Sequence, residues 1–185
     1  MLTFNDVNRD VKFIISEMGN PNRPIPSTWK AVKVSAIIPV IGVFLSSVSF
    51  WLVCSIANHQ DLSLSQFWTY LSSGDAIPVY MSIAIGVAQA LLLLPFVSFY
   101  QSIPYDVRIA TPLLLTFKKK AIIGTLYYLS ILLASCVLSF KNESFLFSTP
   151  ILMFIAIFFV NITINIQITK YGLGEIINRM KAKMV

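Results

Sequence analysis

Residues 34–57 read VSAIIPVIGVFLSSVSFWLVCSIA, a run from Val34 to Ala57 without a single charged side chain. It exceeds the roughly 20 residues that an α-helix needs to cross about 30 Å of hydrocarbon. In lipid, backbone N–H and C=O groups are satisfied only inside a helix or a closed barrel. The run lacks the alternation of a barrel strand, so it reads as a transmembrane helix. Three further uncharged runs follow at 77–100, 121–140 and 145–169. The expected fold class is therefore all-α: a polytopic membrane protein with four transmembrane helices in a domain covering 34–169.

Composition agrees with that class. Hydrophobic residues make up 56% of the chain and charged residues only 12%, and the mean hydropathy is +0.76. A soluble domain has roughly twice that share of charge. The net charge of +6 does not point to nucleic acid, because the basic residues flank the apolar runs and form no stripe with interleaved aromatics. No direct nucleic-acid binding is expected; the lipid bilayer is the first partner.

The flanks predict orientation, since Lys and Arg stay on the cytoplasmic side of short loops. Arg9, Lys12, Arg23, Lys30 and Lys33 precede the first run. Arg108, Lys118, Lys119 and Lys120 lie between the second and third, and Lys170, Arg179, Lys181 and Lys183 follow the fourth. Of the 14 basic residues only Lys141 falls elsewhere. Both termini are expected inside, an N-in/C-in topology. The chain enters the bilayer after PNRPIPSTWKAVK, Pro21 to Lys33, where three prolines oppose a continuous helix and Trp29, Lys30 and Lys33 suit the headgroup level. Residues 21–33 thus read as a proline-rich linker.

Ahead of that linker, in residues 1–20, Phe4, Val7, Val11, Ile14, Ile15 and Met18 recur at steps of three and four, with Asp6, Arg9, Asp10, Lys12 and Glu17 mainly between them. This spacing predicts an amphipathic N-terminal cytoplasmic helix, capped by Thr3 or Asn5 and ended at Gly19-Asn20-Pro21. Its apolar face has three candidate partners: the membrane surface, the cytoplasmic ends of the bundle, or another protein. At the other end, residues 170–185 read as a basic amphipathic tail suited to anionic lipid.

Between the first two runs, Leu62, Leu64, Phe67, Trp68, Tyr70 and Leu71 stand among polar residues, which predicts a short helix at the outer surface. Ser63 and Gln66 have capping-box spacing and Gly74 is placed to end it. Gln66, Phe67, Trp68 and Tyr70 are candidate partner-binding residues, since aromatics dominate interface energetics. The turn 141–144 is short enough to make the last two spans an antiparallel hairpin. The inner segment 101–117 reads as a loop too apolar to be fully solvated, which either dips into the interface as a second amphipathic piece or presents Leu113–Leu115 to a cytosolic partner; the topology-setting cluster Lys118, Lys119 and Lys120 follows it.

A search for chemistry inside the spans finds no acid, base or histidine, and no cofactor or metal motif is expected; His59, beside Asp61, is the sole histidine. No enzymatic role is expected. The uncharged amides Gln89, Asn161, Asn165 and Gln167 are predicted to turn inward and hydrogen-bond between helices. A polar conduit or contact with another membrane protein remains as an alternative. Small residues four apart, such as Gly42 with Ser46 and Gly86 with Ala90, allow close packing and leave a homo-oligomeric seam open. Cys54 and Cys136 read as buried thiols, with a disulfide as the alternative because both sit toward the outer ends of their helices.

The N-terminal helix, the Gly19-Asn20 break, the sequence Ile25-Pro26-Ser27-Thr28-Trp29 and the basic pair Lys30 and Lys33 together resemble the TraS family, the inner-membrane entry exclusion proteins of F-like conjugative plasmids. The resemblance implies a bacterial inner-membrane protein that acts without catalysis. It would block DNA transfer from a like donor by recognising the donor's TraG mating-pair protein. The residues alone also admit an accessory or assembly subunit of a membrane complex, or a small oligomeric transporter or channel subunit.

Overall fold

The computed structural model describes residues 3–20 and 27–170. Residues 21–26 of the proline-rich segment, the tail from 171 onward and the side chain of Gln167 lie outside the described residues. The described residues form seven α-helices in order: α1 Phe4–Met18, α2 Thr28–Ala57, α3 Leu64–Ser73, α4 Ile77–Ser102, α5 Tyr105–Ala110, α6 Pro112–Ser139 and α7 Ser148–Lys170, with a 3-10 turn at Glu143–Phe147 before the last. Among the described residues four helices are long and apolar enough to span a membrane: α2, α4, α6 and the segment Glu143–Thr163 that includes most of α7.

Two boundaries differ from the sequence expectation. Helix α2 begins at Thr28, so Trp29, Lys30 and Lys33 stand on its first two turns, not in a linker. Helix α6 begins at Pro112, so both Leu113–Leu115 and the three lysines belong to a helix that runs on into the span. Lysine and leucine are good helix formers and Pro112 occupies the first turn, where its missing N–H costs nothing. Hydropathy marks where the uncharged run begins, whereas the helical backbone extends past it.

The bundle is organised around α2 and α4. Ser35, Pro39, Gly42, Ser46, Ser49 and Val53 bury one face of α2, and Val79, Ser82, Gly86 and Gln89 bury the facing side of α4. Small residues let these backbones approach. A Cβ on Gly86 would lie 2.9 Å from Val43 Cγ2, and one on Gly42 would lie 3.0 Å from Met153 Cε. Ser82 Oγ is 2.8 Å from Ser46 Oγ, which ties the two helices across the seam. Helix α7 packs on α4, and α6 packs on α2 and on the start of α7. There Ser135 Oγ lies 2.6 Å from Ser148 Oγ and 3.1 Å from Thr149 Oγ1.

The disulfide alternative is excluded. Cys136 Sγ sits 3.7 Å from Leu45 O, whereas Cys54 is two and a half turns farther along α2, about 13 Å at 1.5 Å per residue. A disulfide needs Cα atoms within roughly 7 Å, and both thiols are free.

Helix α1 docks at the junction of α5 and α6. Thr3 caps it in a reciprocal box: Asp6 N–H donates to Thr3 Oγ1 at 3.2 Å and Thr3 N–H to Asp6 Oδ2 at 3.0 Å. The Thr3 hydrogen bonds hold the Asp6 carboxyl below its usual pKa. Val7 and Val11 bury against Leu113, and Ile14 buries against Ile103, Val107 and Leu114. Of the three partners open to this face, the chain itself supplies one. Asp10 is buried with them at 5% exposure, and its Oδ2 accepts the Leu113 N–H at 3.0 Å. Thr111, the N-cap of α6, makes no side-chain cap and turns its hydroxyl to Val107 O. Asp10 therefore caps α6 from a different helix, with a carboxylate where the helix dipole favours negative charge.

Candidate functional site

The segment from Asn58 to Gly74 builds a rigid platform at one end of the bundle. Ser63 Oγ accepts the Gln66 N–H at 3.3 Å and starts α3. Gly74, at φ +89°, ends it in the left-handed region that glycine adopts without strain. Aromatic contacts fasten α3 to α2. Tyr70 meets Phe50 edge-on with centroids 5.9 Å apart, and Phe67 lies 6.0 Å from Trp51. Tyr80 of α4 donates its hydroxyl to Leu71 O and fixes the other end.

Polar groups close the turn between α2 and α3. Gln60 Oε1 accepts from Tyr70 Oη at 2.8 Å and from Gln66 Nε2. Asn58 Nδ2 donates to Tyr70 Oη at 3.1 Å. Beside this network lies an open cleft of about 630 Å3 lined by His59, Gln60, Asp61, Ser63, Gln66 and Tyr70, among others. No group of acidic, His and Cys side chains among the described residues is arranged to hold a metal.

The four candidate contact residues thus divide. Phe67 and Tyr70 face α2 and hold the platform, and Gln66 is engaged with Gln60. Trp68 projects outward at 68% exposure, one turn from Leu64 at 69%. At i and i+4 the two form a single apolar ridge on the outward face of α3. The remaining topology residues lie on helix ends: Lys33 Nζ is 5.3 Å from the Trp29 ring, and Lys118, Lys119 and Lys120 are exposed on α6.

The intramembrane amides divide as well. Gln89 is buried between helices, its Nε2 donating to Met153 O of α7 at 2.7 Å and lying 3.4 Å from Tyr128 Oη of α6. Its Oε1 is buried without a partner among the described residues. Asn161 instead donates to Ile157 O of its own helix at 3.0 Å, and Asn165 is exposed. Neither spans two helices among the described residues. An asparagine can satisfy its donor one turn back on its own helix, so it has no need to turn inward.

No protein family, curated protein or solved structure matches this chain.

Asp10 belongs to the buried apolar face of α1. Its spacing carried the signal: Asp10 stands three residues after Val7 and four before Ile14, on the apolar stripe itself.

Proposed function

We propose that this multi-pass protein recognises another protein at the outer face of the bacterial inner membrane and so excludes conjugative DNA transfer, with a TraG-like donor protein as partner. The observation that carries the reading is the exposed ridge of Leu64 and Trp68, mounted on a platform whose other aromatics are locked against α2. A rigid aromatic anchor loses little conformational entropy on binding. The distribution of basic residues supports the orientation that the reading needs, with both termini cytoplasmic and α3 outside. The resemblance of residues 4–33 to TraS supports the biological setting. In this reading the chain binds and does not catalyse, and it makes no direct contact with nucleic acid.

The test is to express the chain alone in a plasmid-free recipient and count transconjugants from matched and mismatched donors. Transfer from the matched donor should fall; equal, unreduced transfer from both refutes exclusion. Asn165, exposed on α7, favours a second reading, in which an amide pairs with a helix of another membrane protein as an accessory subunit. Co-purification of a membrane partner that is lost in Asn165→Leu, with transfer unaffected by the wild type, would support that reading instead.

A further inference from the structure

Arg108 stands on α5, between the end of α4 and the start of α6. Its guanidinium carbon lies over the rings of Tyr100, 5.2 Å from the centroid, and Tyr105, 5.6 Å from the centroid. Such contacts act on the charge through the ring quadrupole and use none of the N–H groups, which lie in the guanidinium plane. Arg108 makes no ion pair with a carboxylate of the described residues. Its Nε is buried with no hydrogen-bond partner among the described residues. Arginine cannot shed its proton, so a donor left in this way calls for an acceptor beyond the described residues.

The position suggests which acceptor. Tyr100 is in the last turn of α4, where the chain leaves one span, and α6 begins the next span with exposed Lys118 and Lys119 close behind. Residues at the ends of spans stand at headgroup depth, whichever leaflet they meet. The platform is also fixed: Val107, the neighbour of Arg108, is buried with Ile14, Ile103 and Leu114. We infer that Arg108, held by Tyr100 and Tyr105, is a clamp for the phosphodiester of a phospholipid headgroup. The phosphate offers paired oxygens that match the guanidinium fork in bidentate fashion, and the bilayer presents it beside the site. The inference requires only that the bundle spans a membrane, not that the chain acts in exclusion.

Native mass spectrometry on the purified full-length chain tests it, with three probes: dioctanoyl-phosphatidylglycerol, dioctanoylglycerol, which has the same chains without phosphate, and inorganic phosphate. The wild type should retain the phospholipid, and Arg108→Gln should weaken retention about tenfold, as expected for loss of a charge-assisted contact. Dioctanoylglycerol retention should be the same in both proteins. The Tyr105 side chain is largely exposed, at 67%, so Tyr105→Leu keeps the fold and should weaken phospholipid retention several-fold. Unchanged phospholipid retention in either variant overturns the clamp. Displacement of the lipid by inorganic phosphate at equal concentration overturns it in favour of a free-anion site.

Discussion

Replacing Asp10 with alanine removes the cap that α1 supplies to α6. In the docked state the Leu113 N–H is then buried with no acceptor, because a first-turn N–H has no intrahelical carbonyl to meet and Thr111 directs its hydroxyl to Val107 O. Loss of a side-chain cap costs about 1 kcal/mol, and an orphaned buried donor costs about 1–3 kcal/mol. These describe one and the same N–H, so the sum is not taken and about 2 kcal/mol is the expected penalty. When α1 lifts away, water satisfies the N–H, so the penalty falls on the docked state alone. Burial of Val7, Val11 and Ile14 contributes about 1.5–3 kcal/mol for each side chain before entropy is subtracted. Helix α1 therefore stays docked in Asp10→Ala but opens about 30-fold more often, at about 1.4 kcal/mol per tenfold. Amide hydrogen exchange across 4–18 reads this directly, because local opening sets the exchange rate. Asp10→Asn keeps an acceptor oxygen but loses the charge assistance, which roughly halves the bond, and should accelerate exchange by a smaller factor. Unchanged exchange in α1 of Asp10→Ala would refute the cross-helix cap.

Gly86→Ala forces a methyl group to within 2.9 Å of Val43 Cγ2 and should destabilise the bundle by about 1–3 kcal/mol in thermal unfolding in detergent. Gly124→Ala meets nothing within 4 Å and should be neutral or stabilising by up to about 1 kcal/mol through helix propensity; equal effects at the two sites would contradict the α2–α4 seam. In a Cys54→Ser, Cys136→Ser background, a cysteine at Thr69 should react with a membrane-impermeant maleimide in intact spheroplasts. One at Lys119 should react only after permeabilisation, and the reverse pattern contradicts the orientation.

The four spans were legible because lipid imposes a length and a composition that any sequence must display. Less legible was where each helix begins. The backbone of α6 starts well before its uncharged run, and Lys118–Lys120 precede that run without interrupting the helix. Periodicity revealed that α1 has an apolar face but could not name what covers it, since that depends on Leu113 and Leu114, a hundred residues away in sequence. The role of Asp10 was not legible, because a carboxylate reads as solvated until a helix N-terminus is found beside it. For α3 the aromatic cluster stood out, yet its division into inward Phe67 and Tyr70 and outward Trp68 depends on Phe50 and Trp51, which hydropathy assigns only to a span. The amides Gln89 and Asn161 carry similar polarity but find different acceptors, one across the bundle and one a turn behind. Such choices are made by geometry between elements, which single-residue character does not encode.

The central claim is that Trp68 and its ridge carry recognition while the aromatics behind them carry only structure. It is tested most directly by counting transconjugants from a matched donor into recipients expressing the wild type or Trp68→Ala at equal membrane abundance. The account predicts that the wild type reduces transfer and that Trp68→Ala restores it by tenfold or more, at roughly the 2 kcal/mol of an interface hot spot. Exclusion by Trp68→Ala as strong as that of the wild type would contradict it.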